Sequence, residues 1–206
     1  SADGNTVAAG AMEHRVGTSQ AQGAAYLYRR DGASWHETAF TASNGRAEDY
    51  FGSSVSISAD GNTVCVGAYE HDGTGGLYGL GCAYMYVRVD GTWSEARLIA
   101  PDGADNDYFG RCVSISPDGS ILAVGAWGHA TGAGRTGSVY MFERDPGGVG
   151  AWYPIVALSA PDGAPGDQFG FTVAVSSEGS VITGAIEDDT GPGENQGSVH
   201  VFKNSF

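Results

Sequence analysis

Phe109 to Ala126 reads FGRCVSISPDGSILAVGA, and this stretch decides the fold. It opens on Phe-Gly, alternates through Val113 and Ile115, turns at Asp118-Gly119, and ends at Gly125-Ala126. Phe51 to Ala68 (FGSSVSISADGNTVCVGA) and Phe169 to Ala185 (FGFTVAVSSEGSVITGA) repeat it, and a headless copy, SADGNTVAAGA, starts at Ser1. The Gly-Ala pairs begin at Gly10, Gly67, Gly125 and Gly184, a period of 57 to 59 residues. A fixed period of this length signals a repeat architecture.

Each unit reads as strands. Val55 and Ile57 alternate with Ser56 and Ser58, the two-residue period of a strand with unlike faces. Asp60-Gly61 and Asp118-Gly119 predict tight hairpins of the primed type, and Glu178-Gly179 takes their place in the last copy. The following strand, such as Ile121 to Val124, is apolar on both faces and suits the middle of a sheet. A third strand carries paired aromatics two apart: Tyr26 and Tyr28, Tyr84 and Tyr86, Tyr140 and Phe142, then His200 and Phe202. Such pairs share one strand face. Its exit turn is Asp31-Gly32 or Asp90-Gly91, expanded to Asp145 through Gly150 in the third copy. A fourth strand begins near Trp35, Trp93 or Trp152. Four antiparallel strands per repeat are the pattern of a propeller blade. The repeats run approximately 1–49, 50–107, 108–167 and 168–206 within a single domain, with about 14 strands.

The 34 glycines recur at turns, which argues against disorder. With 24 acidic and 10 basic residues the net charge is −14, which argues against nucleic acid and anionic membranes as partners. No apolar run is long enough to span a bilayer, so membrane insertion is not expected. No N-x-S/T sequon is present. Ser1 falls inside a repeat, so the natural N-terminus, with any targeting signal, is expected upstream.

The Phe-Gly, the Val-Gly-Ala, the Gly-Ser-Val-Tyr third strand and the Asp-Tyr-Phe-Gly that restarts the cycle resemble FG-GAP repeats over essentially the whole chain. These are the blade units of integrin α-chain propellers and of many secreted or surface proteins. The resemblance implies an all-β propeller, usually seven-bladed, working outside the cell in adhesion, recognition or scaffolding. Fold alone does not fix function. The first reading is a non-enzymatic extracellular or cell-surface structural or adhesion module, including a subunit of a surface filament, whose partners are proteins or copies of itself. The alternative is a propeller that binds a protein or glycan through its rim loops.

Metal ligands are a separate matter. The family's calcium loop, D-x-D-x-D-G, is shortened here to one carboxylate, Asp60, Asp118 or Glu178, so the calcium site is not carried over and these residues read as turn formers. The loops before Phe-Gly hold Glu48 and Asp49, then Asp102, Asp105 and Asp107, then Asp162 and Asp167. Asp49, Asp107 and Asp167 each stand two residues before the Phe, a recurrence that Asx-turns explain without an ion, with calcium bound by these loops as the alternative. His14, His71 and His129, with Asp188 in the matching place, are expected on separate exposed loops, too far apart for a shared zinc. No nucleophile elbow, zinc-protease motif or phosphate-binding glycine loop is present, so no catalytic residue and no cofactor is assigned.

Three further expectations can be checked directly. Val55, Ile57, Val64, Val66, Val113, Ile115, Leu122, Val124, Val173 and Val175 should be buried between blades. Cys65 sits at a core position, whereas Cys82 and Cys112 should lie near one rim, which leaves two alternatives, a Cys82–Cys112 disulfide or three free buried thiols. The chain starts at the second strand of one repeat and stops after the third of another, so it should not close a ring alone. Seven blades would take roughly 400 residues.

Overall fold

The computed structural model describes residues 1–146, 150–189 and 195–203; parts of the Asp145–Gly150 turn, and Phe206, lie outside these. The first blade comprises β1 (Thr6–Ala11), β2 (Ala24–Asp31) and β3 (Ser34–Phe40). The second comprises β4 (Ser54–Ile57), β5 (Thr63–Ala68), β6 (Cys82–Val89) and β7 (Thr92–Leu98). The third has β8 (Cys112–Ile115), β9 (Ile121–Ala126), β12 (Ser138–Arg144) and β13 (Trp152–Leu158), with a small hairpin, β10 (Ala130–Thr131) and β11 (Gly134–Arg135), in the β9–β12 loop. The fourth has β14 (Phe169–Val175), β15 (Val181–Ala185) and β16 (Ser198–Phe202). All blade pairings are antiparallel between neighbours in sequence. The fold is therefore all-β, built of propeller blades, and only the small hairpin lies outside the expected strand plan.

Consecutive blades meet through backbone. A Cβ added to Gly67 would run into the carbonyl of Gly110, and one added to Gly110 would run into that of Cys82. Gly125 stands in the same relation to Gly170, and Gly10 to Gly52. Each Phe-Gly is thus seated on the Gly-Ala of the preceding blade. Gly81 and Gly137 add parallel bridges to Phe109 and Phe169. The Phe rings Phe51, Phe109 and Phe169 are fully buried, each worth about 2–3 kcal/mol of burial. Every one packs edge-on against the third-strand aromatics of its own blade, as Phe51 does on Tyr84 at 5.3 Å and Phe109 on Tyr140 at 5.6 Å.

The serine alternation has a second role. The first strand of each blade is an inner edge, and its free N–H groups need acceptors. Val113 and Ile115 N–H donate to Ser54 and Ser56 Oγ of the preceding blade, both at 3.0 Å. Val173 N–H donates to Cys112 Sγ at 3.3 Å, and Val175 N–H to Ser114 Oγ at 3.1 Å.

Several expectations are corrected. Val64, Val66, Val113, Ile115, Leu122 and Val124 are buried as expected, but Val55, Ile57, Val173 and Val175 are half-buried. These four lie on β4 and β14, innermost strands next to the ends of the blade stack. Cys82 and Cys112 are free thiols. Cys82 packs with Phe51 and Tyr84 toward the first blade, whereas the Cys112 sulfur points to the fourth blade, so the two side chains face opposite ways. Burial pushes the Cys82 thiol up to about 12. The Asp-Gly turn is also longer than a primed hairpin. Ser58 N–H pairs with Thr63 O across a four-residue loop in which only Gly61 has positive φ. Asp60 accepts from Ser58 Oγ and from Asn62 N–H, which confirms its turn role. Burial alone would raise the Asp60 carboxyl, but these bonds bring it below its usual value. Among the described residues no strand of the first blade pairs with one of the fourth.

Gly125 and Gly184 occupy the same repeat position but not the same surroundings. A Cβ at Gly184 would meet only the Thr172 hydroxyl, at 2.8 Å, and Ser198 O at 3.9 Å. Gly125→Ala should cost about 3 kcal/mol or more, a large share of the roughly 5–15 that hold a domain together. Gly184→Ala should cost under about 1 kcal/mol. Thermal unfolding followed by circular dichroism separates the two, and equal losses would contradict the glycine seat.

Candidate functional site

The loops that precede Phe-Gly and those that follow Gly-Ala meet on one rim. Each Asp there folds its loop by accepting the N–H three residues back: Arg46 N–H to Asp49 at 2.6 Å, Ala104 to Asp107 at 2.8 Å, Ala164 to Asp167 at 2.6 Å. The next residue then takes a left-handed conformation, with φ of 53° at Tyr50, 56° at Tyr108 and 58° at Gln168. This turns the Tyr50 and Tyr108 rings toward the residue after Gly-Ala. Tyr50 stacks on Tyr69 at 5.7 Å, and Tyr108 on Trp127 at 4.7 Å. Tyr69 reaches Tyr108 across the blade boundary at 6.2 Å, and Trp127 reaches Phe171 at 6.5 Å. Arg111 lies over Tyr69 and Phe171, at 5.5 and 4.7 Å. The outcome is a half-buried aromatic ladder spanning three blades.

Two grooves flank it, one repeat apart. The first, about 490 Å³, is lined by Glu48, Tyr50, Glu70, Asp72, Tyr78 and Asn106. The second, about 320 Å³, is lined by Asn106, Tyr108, Trp127, Arg135, Gln168 and Glu187. Burial, and then the neighbouring Asp72, hold the Glu70 carboxyl above its usual range. Arg135 is a strut, since its guanidinium donates to the carbonyls of Asp105, Asn106 and Gly128 at 2.7–2.8 Å. Flat rings beside carboxylates suit a sugar face or a cationic or aromatic peptide side chain.

The histidines depart from expectation. His14 is exposed, but His71 is buried and its Nδ1 donates to Asp49 Oδ2 at 2.9 Å, and His129 Nδ1 donates to Asp107 Oδ2 at 2.9 Å. Each joins the two loops of its own blade. Asp102 accepts from Tyr140 OH at 2.7 Å, and Asp105 from Tyr78 N–H at 2.9 Å. These carboxylates serve the loops; among the described residues no three His, Cys, Asp or Glu side chains form a metal-holding group. Sequence reasoning singled out the aspartates and histidines but missed both their pairing and the ladder. The available signal was an aromatic next to Phe-Gly and another after Gly-Ala in the same repeat.

The hydrogen bond to Asp107 is the chief reason the His129 imidazole titrates above its ordinary value. A raised histidine pKa adds stability that is full below about pH 6.5 and is lost as pH rises through the folded-state value. The melting temperature should therefore fall as pH rises above about 6.5 by more in the wild type than in His129→Gln. Parallel curves would remove His129 from the account.

No curated protein matches the chain. A solved structure of the leech intramolecular trans-sialidase is similar at 16% identity with a TM-score of 0.44, covering 95% of this chain and 31% of that one. The chain thus spans about a third of that enzyme's length. No helix among the described residues is long and apolar enough to cross a membrane. The FG-GAP repeat model matches residues 35–86, 93–142 and 152–202, each match running from the outer strand of one blade to the third strand of the next. With most of its length so matched, this chain belongs to the FG-GAP repeat family.

Proposed function

We propose that the chain is a non-enzymatic extracellular structural or adhesion module, acting through protein contacts with partners or with copies of itself, as in a surface filament. One observation carries this reading. Ile182, Val199 and Val201 on the fourth blade are 49%, 71% and 62% exposed. Their counterparts, Cys65, Ala83 and Met85 in the second blade and Ala123, Val139 and Met141 in the third, are fully buried against the following blade. An apolar face of this kind marks a surface that a further blade or another protein covers. FG-GAP repeats occur in extracellular proteins, and an acidic surface keeps a glycine-rich β protein soluble.

Sedimentation across a concentration series, with electron microscopy of the concentrated protein, tests it. Larger species should form, and a Val199→Asp, Val201→Asp double variant should abolish them without lowering the melting temperature. The buried equivalent, Val139→Asp, should fail to fold, because an unpaired buried charge costs several kcal/mol. A monomer at every concentration that also captures no partner would end this reading.

The ladder supports a second reading, a propeller that recognises a glycan or protein through its rim. Glycan-array binding that is lost in Trp127→Ala would favour it.

A further inference from the structure

Of the two rim grooves, the second is held together by a single residue. Arg135 Nη1 donates to the carbonyls of Asn106 and Gly128, and its Nη2 to that of Asp105. Its own carbonyl accepts Gly166 N–H at 2.8 Å. Asn106 belongs to the loop before Phe109, Gly128 follows the Gly-Ala of the third blade, and Gly166 lies in the loop before Phe169. One side chain and its backbone thus fix three loops. We propose that this groove binds a neutral saccharide, with Trp127 and Tyr108 as its apolar wall and Asn106, Gln168 and Glu187 meeting the hydroxyls. The proposal rests on the second reading above, recognition at the rim, and narrows it to one groove and one class of ligand.

Three observations carry it. The first is shape. The groove, about 320 Å³, falls within the roughly 300–1,000 Å³ of small-molecule sites. Tyr108 and Trp127, both in its lining, lie within 8° of parallel and 4.7 Å apart. Rigid rings give the C–H face of a pyranose an apolar surface to pack on.

The second is polar capacity that the protein leaves unused. Among the described residues neither Gln168 nor Glu187 makes a side-chain hydrogen bond. Asn106 Oδ1 accepts from Tyr108 OH at 3.3 Å, which leaves the amide N–H groups of Asn106 facing no acceptor among those residues. Two amides and a carboxylate offer donors and acceptors together, and each sugar hydroxyl both donates and accepts.

The third is charge. Arg135 and Glu187 both line the groove. A cationic ligand meets the guanidinium and an anionic one meets the carboxylate, so a neutral ligand avoids both repulsions. Three of the Arg135 N–H groups are already taken by carbonyls, so the guanidinium has few left with which to grip an anion. The first groove has no such balance, with Glu48, Glu70 and Asp72 in its lining and no base.

The test is a titration of the whole protein, followed by tryptophan fluorescence, with cellotetraose, laminaritetraose and mannotetraose. Tetragalacturonate and the glucosamine tetramer serve as the anionic and cationic probes. At least one neutral tetrasaccharide should saturate with a Kd of about 1 mM or tighter, and both charged probes should bind at least about tenfold more weakly. Trp127→Ala should abolish binding. Glu187 is exposed, so Glu187→Ala should melt like the wild type while weakening binding about tenfold. Saturation by none of the neutral probes would overturn the proposal. Tighter binding of a charged probe would overturn the ligand class and leave rim recognition standing. Neutral binding untouched by both variants would overturn the site, again without ending the second reading.

Discussion

Backbone-to-backbone contact between blades is the constraint on which the rest depends. Where Gly67 faces Gly110 and Gly125 faces Gly170, there is no room for a single carbon atom. That approach brings each Phe ring over the aromatics of its own blade and lets the serines of one inner strand reach the N–H groups of the next. If the blades were held further apart, both would fail together: the rings would lose contact and the inner-edge N–H groups would lose their acceptors. Spacing therefore sets packing and hydrogen bonding at once, which is why the glycines, the Phe and the serines recur as one motif.

The same spacing builds the rim. Tyr69 meets Tyr108, and Trp127 meets Phe171, only because the blades touch; none of these pairs lies within one sheet. Asp49 and Asp107 hold their loops from inside, each with a backbone N–H and a histidine, so the rings above rest on a polar frame. A binding face on loops needs that kind of support if it is to be rigid.

The strand plan, the blade grouping and the core of the middle blades were legible in the sequence, because period-two alternation and turn residues are local signals. What was not legible depends on the neighbour of each blade. Val199 and Val139 are the same residue at the same repeat position, yet one is 71% exposed and the other buried. For Cys82 and Cys112, the facing of each side chain is set by which blade interface it joins. His71 reads as a loop residue until the loop carrying Asp49 is placed across from it. The turn type was missed because Ser58, two residues before Asp60, takes over the loop's hydrogen bonds through its hydroxyl.

The fourth blade shows how the frame tolerates exchange. In the third blade His129 pairs with Asp107 and lies edge-on to Tyr140, with ring centroids 5.6 Å apart. In the fourth, Asp188 takes the histidine's place and His200 takes the tyrosine's, with His200 Nε2 3.8 Å from Asp188. His200 keeps the ring contact as well, 5.3 Å from Phe169, as Tyr140 does with Phe109. Asp188 in place of histidine brings a second buried acid to a blade whose Asp167 is already buried, and uncompensated buried charge is costly. A histidine at the aromatic position keeps the stack, while its Nε2 is hydrogen-bonded to Ser198 Oγ at 2.8 Å and leaves Asp188 Oδ2 without a hydrogen-bond partner among the described residues. What the three blades with a Phe share is the ring seated on it, and the fourth blade shows that a histidine can supply that ring while the His–Asp hydrogen bond of the second and third blades is not reproduced.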